Sequence, residues 1–579
     1  MKTSRSGFGE TTFGNCITFT IDGQQNFRLI YEKIKEAKKS IYILNYDLDP
    51  FLHLIRGEGN ASQSFQITDL VASPCKSESL SSIGSEQDSS NGNGSSSYDN
   101  LHSDSKNNNK KYPQYFHNYT LQNLLIQKAN QKVDIKIIVW EPRSIIRKLP
   151  GIKKRGLEGR EKKVQVIKEA AKHAGVENYI TIFLDSKAPM LTSGFHEKII
   201  IIDNEIGFCG GQDLSQDKWD TSDHDFDSPL RDSGGDPWHD VQVMVKGPIL
   251  WDLIYHFNQR WIYSIWKDIR QVKKIVKASS IGSYLSSTSS FILSPDLFAD
   301  NGDVEITALR TWKQLSEEDN NDTVDNKNIH YGSEGSNSIR SWYDAMLRKA
   351  KHSIYIEDQF LFQDKAITRI LVNRLREEKN LKMIAVGPME PNLPGLIFSV
   401  LSKESINDIN NNLAALRKVG EDRVRTYSLI SQHDRLKQRR KQIYVHSKLM
   451  IVDDKWITIG SANTDRDGFK DSTEFDLGIV SATVAQELRV KLWREHLKTD
   501  DAIDYFSSSP QSSRYNDNAA NLYNFEEGFE AWEKLAEDNG KRVRTHESIR
   551  GHVYYYNFQE MNYPPPYQQA KGGNKFRLF

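Results

Sequence analysis

A chain of 579 residues is too long for one ordinary core, so two domain-sized units are expected. Its 77 Lys+Arg against 77 Asp+Glu exclude the basic excess of a general nucleic-acid coat protein, and 37 % hydrophobic with 27 % charged residues fits a globular chain with polar insertions. No apolar run approaches the roughly 18 residues needed to span a bilayer, and the opening MKTSRSGFGETTFGN lacks the apolar stretch of a secretory signal, so a soluble cytoplasmic chain is expected.

In chain order, helix-like QQNFRLIYEKIKEA leads into strand-like SIYIL, residues 40–44. Residues 62–105 then hold 15 serines in 44 positions and cannot bury enough apolar surface to offset their ordering entropy, which predicts a disordered insertion over about 62–110. LQNLLIQKANQKVDIKIIVWEP, residues 121–142, reads as an amphipathic helix followed by a short buried strand. The same succession returns later: SNSIRSWYDAM, LRKAKHSIYIE, then ITRILVNRLREEKNLKMIAVGPMEP at 367–391. Polar tracts at 316–328 and 507–518 read as loops, Tyr554, Tyr555 and Tyr556 as a strand packed on the core, and the tail from Pro564 as loose. Three scattered cysteines (Cys16, Cys75, Cys209) without CxxC spacing imply neither a disulfide framework nor a zinc site.

This alternation predicts an α/β fold built from two duplicated α/β/α units packed as a pseudo-dimer with one shared active site. The units are expected at 1–300 and 301–566, with a loose tail over 567–579. Ser40 precedes His196 by 156 residues and Ser353 precedes His446 by 93; the serine-rich insertion supplies most of the excess of 63.

Each unit ends in one polar signature. HEKIIIIDNEIGFCGGQDL contributes His196, Lys198, Asp203, Gly210 and Gly211; HSKLMIVDDKWITIGSAN contributes His446, Lys448, Asp453, Gly460, Ser461 and Asn463. Both follow His-x-Lys-x4-Asp-x6-Gly-[Gly/Ser]. On a strand, residues i and i+2 share a face, so each His and its Lys are expected to point the same way, with small Gly/Ser residues on a returning strand letting a ligand approach. A single such match is weak; two with identical spacing at equivalent places in a repeat point to a site.

This doubled His-Lys-Asp pattern resembles the phospholipase D superfamily. The likeness extends to its eukaryotic-type branch through GGQDLSQDKWDT, PWHDVQVMVKGPILWDLIYHFNQRW, ITALRTW, YIEDQFLF, GSANTDRDGFKDSTE and ELRVKLWREHL, from about Asn15 to about Pro566. Nothing resembles the lipid-binding modules that often precede that core, so a near-minimal catalytic version is expected. The resemblance implies a phospholipase D that hydrolyses glycerophospholipids, with phosphatidylcholine as substrate, through a phosphohistidine, and that also transfers the phosphatidyl group to alcohols. It implies one His as nucleophile, assigned here to His196, and the other, His446, as acid. Lys198 and Lys448 would neutralise the phosphoryl oxygens, helped by Asn463 and the Ser461 hydroxyl. Asp240 and Glu474, which immediately precede matching strand-like runs VQVMV and FDLGIV, are assigned as carboxylates orienting the histidines, leaving supporting roles to Asp203 and Asp453.

No Cys/His/carboxylate cluster with zinc spacing surrounds the motifs, so no metal and no cofactor are expected, while calcium or phosphoinositide stimulation stays open. The acidic stretch 217–240, with His224 and His239, matches no EF-hand and reads as a polar active-site loop. Expected partners are a phospholipid at a membrane surface and anionic headgroups through basic segments 143–163, 260–277 and 434–441, with no nucleic acid and a monomer sufficient. A nuclease of the same superfamily is the nearest rival, an inactive membrane scaffold the rival of a different kind. A cardiolipin synthase fits less well without N-terminal membrane spans.

Overall fold

A computed structural model describes residues 4–6, 9–57, 70–73, 119–141, 159–185, 194–232, 235–272, 302–312, 335–389, 395–498 and 521–556. The polar tracts at 316–328 and 507–518, the tail, residues 143–158 of the first basic segment and nearly all of the serine-rich insertion lie outside these residues. One part of that insertion departs from the expected disorder. Val71 and Ala72 form a short strand against Thr18 and Phe19, because Val71 has an apolar surface to cover there.

The first half runs β1 (Ser4–Ser6), β2 (Gly9–Ile21), α1 (Asp22–Glu36), β3 (Ser40–Asn45), β4 (Val71–Ala72), α2 (Leu121–Asn130), β5 (Asp134–Trp140), α3 (Arg160–His173), β6 (Ile180–Asp185), β7 (Ile199–Ile202), β8 (Ile206–Gly210), β9 (Trp238–His239), β10 (Val241–Lys246) and α4 (Leu250–Val272). The second runs β11 (Val304–Trp312), β12 (Ser336–Asn337), α5 (Ser338–Lys349), β13 (Ser353–Asp358), α6 (Lys365–Glu377), β14 (Lys382–Val386), α7 (Gly395–Gly420), β15 (Val424–Gln432), β16 (Arg440–Val445), β17 (Lys448–Val452), β18 (Trp456–Gly460), β19 (Glu474–Val480), α8 (Ala482–Leu497), α9 (Phe525–Thr545) and β20 (Val553–Tyr555).

Strand pairing repeats almost step for step. In the first half the order is β6–β5–β3–β7–β8–β10–β2, with β3, β5 and β6 parallel and the rest antiparallel. In the second it is β15–β14–β13–β17–β18–β19–β11, with the same directions. The two copies join where β2 and β11 pair antiparallel, Asn15 opposite Val304 and Thr12 opposite Ile306.

The apolar strands explain the layering. Along β7 Ile199 and Ile201 face a central core shared by both halves, while Ile200 and Ile202 face the core under α1, α2 and α3. Along β17 Leu449 and Ile451 face the same central core, and Met450 and Val452 the core under α5, α6 and α7. A strand covered on both faces needs hydrophobic residues at every position, hence IIII and LMIV. The duplicated α/β units therefore pack as a pseudo-dimer around one interior.

Two expectations need correction. Cys16, in β2, is disulfide-bonded, whereas Cys209, in β8, is a buried free thiol; pairing depends on proximity in space, which three dispersed cysteines do not express in their spacing. The start of segment 260–277 is not a lipid-facing surface. Arg260 is buried between Asp185 (3.1 Å) and Glu197 (3.1 Å), and Trp261 and Tyr263 are buried beside it. This part of α4 carries the apolar stripe of an amphipathic helix, so its aromatics go inward.

Candidate active site

Both motif histidines sit just ahead of their strands rather than in them, correcting the expectation of a shared strand face. The His196 amide donates to Thr473 O (2.9 Å) and the His446 amide to His239 O (2.8 Å), so each histidine is tethered to the opposite half of the molecule. Their side chains cross over as well. His196 Nδ1 lies 3.1 Å from a Glu474 oxygen and 3.0 Å from the carbonyl of Ser461. His446 Nδ1 lies 2.7 Å from Asp240 Oδ2. A carbonyl can only accept, so Nδ1 of His196 carries the hydrogen and Nε2 keeps its lone pair.

Each lysine folds back on its own histidine, Lys198 Nζ donating to His196 O at 2.8 Å and Lys448 Nζ to His446 O. Both are fully buried. Burial, reinforced by the Lys198 and Lys448 charges, pushes His196 well below the ordinary histidine range. Burial does the same to His446, and Lys448, Lys218, Lys198 and His196 all push it further down. Both imidazoles therefore rest neutral near pH 7. Burial drives Asp240 up to about 7 and Glu474 well above its usual range, and Lys448 down to about 8. The buried lysine charges act on both imidazoles, placing positive charge where a phosphate would sit.

The remaining motif residues divide. Ser461 Oγ donates to Glu474 (2.6 Å) and accepts from the Phe475 amide, so it braces the carboxylate rather than facing a phosphate. Asn463 is buried with Oδ1 unpartnered; at the matching position Asp213 lies 3.5 Å from Lys198 Nζ and accepts from the Asp47 amide. Contrary to the expectation from sequence, Gly210 and Gly211 do not open room for a ligand. A Cβ on Gly211 would overlap Asp240 Oδ1 and reach His446 O at 3.2 Å, and one on Gly210 would overlap Gln242. Their smallness lets the neighbouring strand and the orienting carboxylate close in.

Asp203 and Asp453, members of the two motifs and expected in supporting roles at the site, lie elsewhere. They sit at the far ends of β7 and β17, roughly 15 Å along the strand from the lysines. Asp203 accepts from the amides of Lys38, Lys39 and Ser40, and Asp453 from those of Lys351, His352 and Ser353. Both turn the hairpin with φ of 54° and 53°, a left-handed conformation aspartate tolerates. Each closes a hairpin and caps the entry of β3 or β13.

Sequence reasoning missed three neighbours. Lys218, fully buried, holds its Nζ 3.5 Å from the Trp238 ring centroid and acts electrostatically on His446. Trp238 itself lies 4.9 Å from the His446 ring, and Tyr46 packs edge-on against His196 at 4.8 Å. Lys218 stood inside the quoted GGQDLSQDKWDT segment, but only the fold brings it to the imidazole. His224 and His239, expected on a polar loop, are instead fully buried among carboxylates. Of the expected lipid-binding segments, 434–441 holds exposed Arg435, Leu436 and Arg439, while Lys441 donates to Phe226 O at 3.1 Å.

Two histidine–lysine pairs facing one centre in a duplicated α/β fold agree with what family comparison finds. A "Phospholipase D" family model matches residues 110–367 and a "Cardiolipin synthase, PLD-like domain" model matches 343–495. The chain belongs to the phospholipase D superfamily. Within it, phospholipase D alpha 2 of Arabidopsis thaliana is 26 % identical over 496 residues, covering 65 % of this chain and 58 % of the relative. Phospholipase D zeta 2 of the same plant is 24 % identical over 521 residues, covering 65 % and 48 %. The chain thus spans about three fifths or less of the curated relatives it matches. A solved phosphatidylserine synthase of Haemophilus influenzae Rd KW20 aligns over 82 % of this chain and 84 % of its own with TM-score 0.45 and 10 % identity. Phospholipase D enzymes generally need no cofactor. Among the described residues no helix is long and apolar enough to cross a membrane.

Proposed function

We propose that this phospholipase D-superfamily chain cleaves the phosphodiester of glycerophospholipids, phosphatidylcholine foremost, to phosphatidic acid and the free headgroup. The observation that carries this reading is the crossed pair of imidazoles, each with Nδ1 on a carboxylate of the other half (Glu474 at 3.1 Å, Asp240 at 2.7 Å), between buried Lys198 and Lys448.

In this reading Nε2 of His196 attacks phosphorus while the headgroup oxygen leaves, taking a proton from Nε2 of His446; the phosphatidyl group is left on His196. The anionic phosphodiester, entering among three ammonium groups, raises the proton affinity of His446 at the moment an acid is needed. Neutral His446 then removes a proton from water as its oxygen attacks phosphorus, releasing phosphatidic acid and restoring His196. A primary alcohol in place of water gives transphosphatidylation. His196 is the more open of the two, its side chain 12 % exposed against 3 % for His446, which favours it as the group that carries the bulky intermediate.

Phosphatidylcholine vesicles with and without 1-butanol test this, with wild type beside Lys448→Arg, which keeps the charge but not the ammonium geometry. Choline release, phosphatidylbutanol formation, and loss of both in the variant are expected. Nicking of plasmid DNA without choline release would turn the reading to the nuclease. Vesicle binding with no turnover of any phosphodiester would turn it to the scaffold. Rapid-quench trapping should place phosphate on His196; label on His446 would reverse the two roles.

A further inference from the structure

Below His446 and Asp240 lies a second cluster that the phosphoryl chemistry does not use. Asp22 opens α1, His224 and His239 flank the 225–238 segment, and Glu495 projects from α8 of the other half. Their side chains are 0 %, 0 %, 0 % and 6 % exposed. Four of the contacts among them measure 2.9 Å (His239 Nδ1–Asp22 Oδ1), 3.0 Å (His239 Nδ1–Glu495 Oε1), 3.2 Å (His224 Nε2–Glu495 Oε1) and 3.4 Å (His224 Nε2–Asp22 Oδ2). One ligand atom from each residue fits within 4.8 Å of all the others.

We propose that Asp22, His224, His239 and Glu495 form a structural site for a divalent transition-metal ion, best matched by zinc. A tetrahedral ion with bonds of about 2.0 Å sets its ligand atoms about 3.3 Å apart, close to the four contacts here. Hydrogen bonding accounts for the cluster less well. His239 Nδ1 and Asp22 Oδ2 are buried without a hydrogen-bond partner although charged groups crowd both. Of the four contacts only His224 Nε2–Glu495 Oε1 meets hydrogen-bond direction; short contacts that fail it, like the other three, are what two ligands show when each is aimed at a shared ion rather than at the other. Charge is compatible with this: Asp22 and Glu495 share His239 Nδ1 as neighbour, and two buried carboxylates side by side need compensating positive charge, supplied either by an ion or by protons on His224 and His239.

The outer contacts fit as well. His224 Nδ1 meets Asp220 Oδ2 at 3.0 Å and His239 Nε2 meets Glu357 Oε2 at 3.0 Å, so each imidazole has its far nitrogen on a carboxylate while the near one faces the cluster. That arrangement fixes the ring and its tautomer for metal ligation. Two nitrogens and two oxygens suit zinc better than calcium or magnesium, which take six or more oxygens. The ion would tie the second half to the first through Glu495. It would also hold the strand that positions the reacting groups: the Asp240 amide reaches Asp22 Oδ1 (3.3 Å), and His239 O receives the His446 amide.

The test is metal analysis of the purified full chain, dialysed after exposure to Zn2+, with cobalt substitution and thermal unfolding alongside. About one zinc per chain is expected, with an intense visible absorption from four-coordinate cobalt and a melting temperature that falls on chelation and recovers with zinc. His224→Ala and Glu495→Gln should each cut the bound metal at least about tenfold. Wild type that holds no divalent ion after dialysis, and melts identically with and without chelator, would overturn the proposal and leave a network of protonated histidines. Undiminished zinc in both variants would overturn it too, since the ion would then sit elsewhere. Should the variants not fold, metal content and cobalt spectrum of the wild type decide alone.

Discussion

Replacing Glu474 with glutamine keeps shape and one acceptor oxygen but removes the charge opposite His196. As Nε2 of His196 bonds phosphorus the imidazole becomes cationic, and a carboxylate whose oxygens lie 3.1 Å from Nδ1 stabilises that charge. With charge centres about 4 Å apart and an effective dielectric near 20, the interaction is on the order of 4 kcal/mol, or about a thousandfold in rate. The expected result for Glu474→Gln is therefore a fall in kcat of about 10³ with little change in KM or melting temperature. Glu474→Asp, which restores the charge at a longer reach, should recover part of the loss. Choline release gives the steady state, and rapid-quench trapping should show formation of the phosphoenzyme slowed. A loss below about tenfold in correctly folded Glu474→Gln would refute the assignment of Glu474 as the carboxylate that supports His196.

Asp453→Ala removes three backbone contacts at the entry of β13 and should cost about 2–3 kcal/mol in stability while changing kcat per folded molecule less than twofold; a large kcat loss at unchanged melting temperature would return this residue to the site. Gly211→Ala puts a methyl against Asp240 Oδ1, so it should displace that carboxylate from His446 and lower kcat by about tenfold or more, and an unaltered kcat would contradict the packing described. Because burial and two lysines hold His196 below its unfolded value near 6.5, the neutral nucleophile should persist on acidification. The acid limb of kcat/KM is then expected below pH 6.5, and a limb above it would count against the assignment. Stability takes the same sign: below about 6.5 the unfolded imidazole binds a proton that the folded one refuses, so His196 subtracts stability as pH falls through that range, readable as a declining melting temperature.

The duplicated fold and the two motifs were legible because they rest on local patterns. IIII and LMIV announce strands buried on both faces, and identical spacing in two copies is hard to produce otherwise. The matching places of Asp240 and Glu474 before VQVMV and FDLGIV were equally visible, but not which histidine each would meet. That exchange depends on how two units face one another, and nothing within one unit specifies it. Asp203 and Asp453 misled for the opposite reason. Their spacing from His and Lys is fixed by strand length, so they recur faithfully in the motif while serving the hairpin turn and the β3 and β13 amides. The carboxylate–histidine cluster drew its members from positions 22, 224, 239 and 495, so no spacing rule could gather them.

The crossed tethering bears on why a two-copy chain suits this chemistry. His196 hangs by its amide from Thr473 and by its ring from Glu474; His446 hangs from His239 and Asp240. Neither half orients its own imidazole, so any slip along the contact between the halves would spoil both at once. The contact is accordingly built to resist sliding. β2 and β11 pair directly, a single hydrophobic core draws side chains from both halves, β9 adds a parallel pairing to β16 immediately before His446, and Phe195 bridges Thr473 in parallel immediately before His196. Attack and protonation on opposite sides of one phosphorus require two imidazoles held at fixed separation with their Nε2 atoms facing each other, one offering a lone pair and the other a proton. A pseudo-symmetric interface, in which each half supplies the other's orienting carboxylate, meets that requirement by making the geometry of the reaction the same thing as the geometry of assembly.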